Sequence, residues 1–190
     1  MSRSETRNEW PRLWSAVDTE WVTEVRAATP QDALGVARVH VRSWQVAYRG
    51  LVAQDYLDRL RPADKASRYT FDRSGPEMPA TLIAVEQEEI WGFATTGPSQ
   101  DTDLPNLREL WAIYVDPQHW GQGVGRLLMT AARDRLRGDG AREALLWVFA
   151  GNERARRFYE IDGWRADGAR RTEAIGDLAM EEVRYRCALI

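Results

Sequence analysis

The sequence predicts a mixed α/β domain, with a central mixed sheet of about seven strands flanked by about four helices. Three observations lead there. Apolar residues recur at helical spacing in four stretches, and they alternate or cluster in seven shorter ones. The two patterns interleave along the chain with no internal repeat and no low-complexity tract, as expected when helices cover the faces of one sheet. The chain has 190 residues, 44% of them apolar and 29% charged, which is enough to bury a real core.

Taken in order, residues 1–21 read as an N-terminal extension and 22–190 as the domain. In the extension Trp10, Leu13, Trp14 and Val17 are spaced like one face of a short helix. Val22 to Ala28 is loosely strand-like. Thr29-Pro30-Gln31-Asp32 then opens a helix: Thr29 caps, Pro30 suits the first position, and Asp32 meets the positive helix end. Leu34, Ala37, Val41, Trp44 and Ala47 form its apolar stripe, and Gly50 stops it. A second helical stretch runs from about Ala53 through Leu60, is broken by Pro62, and is expected to resume toward Arg73. Thr81–Val85 and Ile90–Ala94 make a hairpin around Glu86-Gln87-Glu88-Glu89. Leu107–Val115 is a third strand of this group, closed by Asp116-Pro117. Val124, Leu127, Leu128, Ala131, Ala132 and Leu136 mark a helix ended by Gly138 and Gly140. Ala144–Phe149 is a strand, Asn152–Ile161 a helix, and Trp164–Arg170 and Ala179–Leu189 are two final strands.

The bulk properties exclude several function classes. A formal charge of −3 gives no electrostatic footprint for nucleic acid or anionic lipid. Two histidines and one cysteine argue against a structural zinc site, and the lone Cys187 reads as a buried strand residue. His40 reads as a helix-surface residue and His119 as a solvated loop residue. No apolar run approaches the roughly 20 residues a membrane span needs. Residues 1–20 lack the apolar segment of a signal peptide, so a cytoplasmic location is the expectation.

The sharpest local feature is Trp120-Gly121-Gln122-Gly123-Val124-Gly125-Arg126, which joins a strand directly to an amphipathic helix. Alternate glycines let the backbone turn tightly and approach a ligand. The helix start adds unpaired N–H groups and the positive dipole end, a setting suited to phosphate or pyrophosphate. The turn lacks the Gly-Lys-Ser/Thr of a P-loop. Its Gly-x-Gly-x-Gly spacing, after two helices and a hairpin, also departs from the dinucleotide-binding pattern.

With its flanks, this turn resembles the fingerprint of the GNAT acetyltransferases. In that family a strand ending in Val-Asp-Pro leads to Gln/Arg-x-x-Gly-x-Gly/Ala. Here Leu110-Trp111-Ala112-Ile113-Tyr114-Val115-Asp116-Pro117 leads to Trp120-Gly121-Gln122-Gly123-Val124-Gly125, with Trp120 in place of Gln or Arg. Downstream, Asn152, Ala155, Phe158-Tyr159 and Gly163-Trp164 match the second cofactor motif. Upstream, Trp44, Tyr48 and Gly50 match a Trp-x-x-x-Tyr-x-Gly stretch of one subgroup. The element order matches from about Val22 to Ile190.

The resemblance implies an acetyl-coenzyme A-dependent N-acetyltransferase that needs no metal. Its acceptor would be an amine on a small molecule or a protein. A non-catalytic acyl-CoA-binding or sensing domain on the same fold is the alternative. Main-chain groups of Ile113, Tyr114 and Val115, beside a strand bulge, would pair with pantetheine. Gly121, Gln122, Gly123, Val124, Gly125 and Arg126 would hold the pyrophosphate, and Asn152 the pantetheine arm. Glu109 would be the base that deprotonates the amine. Tyr159 would serve the leaving thiolate; because a phenol protonates a thiolate only uphill, that role needs a strong hydrogen bond or a shifted pKa. Trp44 and Tyr48 would line the acceptor site, as would the stretches 44–54 and 170–177. At most one of the neighbours Glu181 and Glu182 would face that site. Family members are often homodimers, and Trp10 and Trp14 are the expected contact.

Overall fold

The computed structural model describes residues 23–72, 75, 77–175 and 178–189. The expectations for the N-terminal extension, including the Trp10 and Trp14 contact, lie outside the described residues. A seven-stranded sheet is formed by β1 (Glu24–Ala27), β2 (Ala80–Glu86), β3 (Glu89–Pro98), β4 (Arg108–Val115), β5 (Glu143–Phe149), β6 (Arg165–Ile175) and β7 (Leu178–Ala188). Its spatial order is β1-β2-β3-β4-β5-β7-β6. All neighbours are antiparallel except β4 and β5. Five helices flank it: α1 (Ala33–Ala47), α2 (Gln54–Arg59), α3 (Pro62–Ala66), α4 (Val124–Gly138) and α5 (Glu153–Ile161).

The start of α1 follows from the sequence. The Asp32 carboxylate accepts hydrogen bonds from the Thr29 N–H and hydroxyl, both at 2.8 Å, and takes a two-point ion pair from Arg26. These partners hold its proton affinity far below the usual carboxylate range. The buried stripe of α1, from Val36 through Trp44, packs on Ile83, Ile90, Phe93 and Tyr114 on one sheet face. Helices α4 and α5 cover the other face. There Leu128, Met129, Ala132, Leu136 and Tyr159 meet Leu110, Leu146, Val183, Tyr185 and a fully enclosed Trp164.

Two expectations are corrected by the structure. The second helical stretch does not resume to Arg73: Pro62 fits the first turn of a separate short helix that ends at Ala66. Strand β6 continues five residues beyond the expected Arg170, because Arg171 to Ile175 pair in register with β7. Among the described residues no helix is long and apolar enough to cross a membrane, and no group of three His, Cys, Asp or Glu could hold a metal ion. Cys187 is a buried free thiol on β7.

Candidate active site

The site is built around an opening in the middle of the sheet. β4 and β5 pair only at Arg108↔Ala144 and Glu109↔Leu145, then diverge. On its other side β4 carries a bulge: Thr95 pairs with Ala112 and Thr96 with Leu110, so Trp111 is the extra residue. Past the bulge, the Asp116 N–H bonds to the Trp91 carbonyl at 2.7 Å. By the alternation of antiparallel ladders, the main chains of Tyr114 and Ala112 then turn to β3, while those of Ile113 and Val115 turn to the opening. Of the three residues expected to offer main-chain groups, Tyr114 is therefore committed to Phe93, and Ile113 and Val115 face the gap. The Val115 carbonyl already accepts from the Ser43 hydroxyl (2.9 Å) and the Trp120 indole N–H (2.8 Å). That leaves the Val115 N–H and both groups of Ile113.

The glycine turn lies at the end of this opening. Gly121 and Gly123 take φ of +80° and +87°, a region that L side chains rarely adopt, and a Cβ at either would meet nothing within 4 Å. Backbone is thus bare toward open space where α4 begins. Gly125 faces inward instead, where an ideal Cβ would meet Phe158 at 3.4 Å, an ordinary contact. The Gln122 amide donates to the Gln118 carbonyl and braces the turn. Arg126 is exposed in the first turn of α4. Asn152 caps α5, its Oδ1 accepting from the Ala155 N–H at 3.1 Å, while its amide group lies beside the Tyr48 hydroxyl. Bare backbone at a helix start and unpaired strand groups beside it fit a pantetheine pyrophosphate.

Glu109 stands where β4 and β5 begin to part, only 5% exposed. Its neighbour Arg108 turns to Glu77 instead. Glu109 Oε2 accepts from the Gln100 N–H at 2.8 Å. Burial raises its proton affinity; the Gln100 N–H and Arg171 oppose that, Asp101 and Glu182 reinforce it, and the net is upward. Of the two glutamates on β7, Glu182 points inward and pairs with Arg171 at 2.7 Å, whereas Glu181 pairs with Arg170 outside. Arg171 also lies over the Trp147 ring.

Tyr159 packs with the α4 and α5 core, yet it raises the proton affinity of Tyr48 and is itself raised by Tyr114, whose side chains belong to the opposite face. Burial is the larger cause of its own upward shift. Trp44 and Tyr48 are enclosed in a cluster with Phe149, Val52 and Leu57. The Tyr48 hydroxyl is within polar reach of Tyr114 and Asn152. The Trp44 indole N–H comes close enough to perturb the Tyr114 hydroxyl but makes no aligned hydrogen bond. The Tyr114 hydroxyl thus has Trp44 and Tyr48 beside it, and Tyr48 also has Asn152; the charges that act on Glu109 are those of Arg171, Asp101 and Glu182.

Both histidines depart from expectation. His40 is not on the helix surface: it stacks on Tyr114 at 5.0 Å, and its Nδ1 lies 2.5 Å from the Tyr69 hydroxyl. His119 is half-buried rather than fully solvated, stacking on Trp91 with centroids 3.9 Å apart. Arg171 falls within the stretch 170–177 expected at the acceptor site, whereas the Gln100 N–H and the stacking of Arg154 on Trp120 carry no motif of their own.

Residues 40–164 match the acetyltransferase (GNAT) family. The uncharacterized N-acetyltransferase YuaI of Bacillus subtilis (strain 168) is 28% identical over 67% of this chain and 72% of its own length. A probable N-acetyltransferase of Mycobacterium tuberculosis is 26% identical over 85% of this chain and 91% of its own. Among solved structures, the PaiA N-acetyltransferase from Thermoplasma acidophilum, in complex with coenzyme A, superposes with a TM-score of 0.70 at 20% identity, covering 88% of this chain and 99% of that one. The match spans both cofactor motifs and the strands that part between them, and the chain belongs to the acetyltransferase (GNAT) family as an acyltransferase enzyme.

Proposed function

We propose that the chain transfers an acetyl group from acetyl-CoA to a primary amine, of a small molecule or a protein, by direct attack within a ternary complex. The observation that carries this reading is the opening between β4 and β5, with unpaired groups of Ile113 and Val115 on one wall and the bare glycine turn at its end. Gly121, Gln122, Gly123, Val124 and Arg126 would hold the pyrophosphate, and Ile113, Val115 and Asn152 the pantetheine arm. The bound thioester supplies the activated acetyl group.

An alkylammonium has a pKa around 10 and no lone pair, so a base must take its proton directly or through water. Glu109 is the carboxylate placed for this, and its raised proton affinity makes it a stronger base than an exposed glutamate. Tyr159 serves the leaving sulfur. Its proton affinity is shifted upward, away from the value a proton donor to a thiolate would need. Tyr159 therefore acts as a hydrogen-bond donor that stabilises charge on sulfur rather than as a full acid. Trp44 and Tyr48 shape the acceptor side from within the core. Glu182, neutralised by Arg171, is the second carboxylate there.

Calorimetric titration with acetyl-CoA, adenosine triphosphate and a nicotinamide dinucleotide tests the reading, followed by an amine panel. Selective acetyl-CoA binding is expected. Glu109→Gln should keep that binding and lower kcat/KM by about 10²- to 10⁴-fold. Folded protein that ignores acetyl-CoA would remove the proposal.

A further inference from the structure

Trp120 stands where this family's turn usually carries Gln or Arg, and the structure shows what occupies its surroundings. Its indole N–H is bonded to the Val115 carbonyl at the end of β4. Its ring face carries the guanidinium of Arg154, whose central carbon lies 3.4 Å from the ring centroid. Arg154 is the second residue of α5. The indole therefore spans the mouth of the opening, from the end of β4 to the first turn of α5, directly before the bare backbone of Gly121 and Gly123. Three arginines of α4 pair with carboxylates, namely Arg133, Arg135 and Arg137. Arg154 has no such pair among the described residues, and no carboxylate acts on it; partial burial alone lowers its proton affinity. An uncompensated, partly desolvated cation fixed on an aromatic plate is held for an anion.

We propose that Arg154, stacked on Trp120, binds the pyrophosphate of coenzyme A and supplies a cationic contact beside a turn whose own first position is the uncharged Trp120. The stack fixes the guanidinium plane, so little side-chain freedom is lost when the anion arrives. The proposal rests on the reading that the turn receives coenzyme A.

The test is calorimetric titration of wild type, Arg154→Gln, Arg154→Lys and Trp120→Leu with three probes: coenzyme A, dephospho-coenzyme A (no 3′-phosphate) and pantetheine (no phosphate). Arg154→Gln should weaken coenzyme A and dephospho-coenzyme A equally, by about 10- to 100-fold, and leave pantetheine unchanged. Arg154→Lys should fall between, because it keeps charge but loses the planar stack. Combining Arg154→Gln with Trp120→Leu should add less than the two single losses together. Equal affinity of wild type and Arg154→Gln for coenzyme A overturns the proposal, as does a loss confined to coenzyme A, which would place Arg154 on the 3′-phosphate. A thermal melt of each ligand-free variant checks the fold; Arg154→Gln should melt close to wild type, since the side chain is exposed and its contact is the stack on Trp120. Wild type that fails to bind coenzyme A would overturn the functional reading itself, an outcome distinct from equal binding by wild type and variant.

Discussion

Arg184→Met tests how the base is held. Arg184 on β7 bonds to Asp101 Oδ2 at 2.7 Å and to Asp167 Oδ2 at 2.8 Å. The side chains of Arg184 and Asp101 are only 10% and 7% exposed. Asp101 belongs to the loop between β3 and β4, next to Gln100, whose N–H reaches Glu109. Removing one partner of a buried pair costs about 3–5 kcal/mol, because the other charge stays buried without compensation. The pair keeps a little solvent exposure, and Asp101 Oδ1 keeps the Asp103 N–H at 2.9 Å, so the low end applies, about 3 kcal/mol. In a chain of this size that is about 6–12 °C in Tm. Urea unfolding at pH 7 should show it as a lower midpoint at constant m-value. Burial by itself would raise the proton affinity of Asp101, but the hydrogen bonds from Arg184 and Asp103 and the charge of Arg184 leave it lowered. The contribution of the pair is therefore complete above the unfolded value near 4 and is lost as pH falls through the lower folded value. Wild type and variant should converge in acid. Once the loop loosens, Glu109 loses its N–H partner, and the acidic limb of the kcat/KM profile should move to higher pH. A loss below about 1 kcal/mol, or a gap that persists unchanged in acid, would mean that the Arg184 pair does not anchor this loop.

Three further outcomes are expected from the buried charges and the glycine turn. His40 is held neutral by burial and by the positive charges of Lys65 and Arg68, with its pKa lowered to about 3; stability should fall as pH drops from about 6.5 toward 3, by up to about 1.4 kcal/mol per pH unit, and His40→Gln should flatten that slope in urea titrations across pH. Because the folded proton affinity of Glu109 is raised, its buried charge costs stability as pH rises above the unfolded value near 4.5; Glu109→Gln should be as stable as wild type or more so at pH 8 while its amine acetylation collapses, and a marked loss of Tm there would contradict this. Gly123→Ala places a Cβ in open space but at φ +87°, a conformational cost of about 1–2 kcal/mol; calorimetry should show a larger loss in coenzyme A affinity than the melt shows in stability.

Much of the fold is legible in the sequence because local chemistry and tertiary demand agree. The Thr29-Pro30-Asp32 start of α1, the alternation of β7 and the strand-turn-helix around Gly121 and Gly123 all appear in one dimension. The family resemblance singles out Glu109, Tyr159 and Asn152, and in the structure all three are buried, Glu109 where β4 and β5 begin to part and Asn152 at the start of α5. What escapes the sequence depends on partners far along the chain. His40 looks polar and exposed until Tyr69, Tyr114 and Phe93 are brought around it. The hairpin between β2 and β3 turns through Gln87 and Glu88 at φ of 48° and 68°, although neither residue type signals such a turn. The bulge at Trp111 leaves no periodic mark, since one extra residue in a strand only shifts the alternation. The shift is why Leu110 faces α4 while Ala112 and Tyr114 face α1. In one dimension Trp120 is only a lost polar contact, because the cation stacked on it comes from Arg154, on another helix.

A sheet normally has two rims, both at its outer limits. Here β4, fourth of seven in order, presents a third rim inside the molecule, where Ile113 and Val115 offer the donors and acceptor of an edge strand. Outer rims are guarded with charge against unwanted pairing; this one is guarded by depth, between α4 on one side and α1 on the other. Only a narrow occupant that brings its own amides can complete it, and such an occupant becomes a rung between two half-sheets otherwise bonded at two register positions. An occupant at one hundred times its Kd stabilises the folded chain by about 2.7 kcal/mol. The persistence of this protein would then follow the supply of the molecule it consumes.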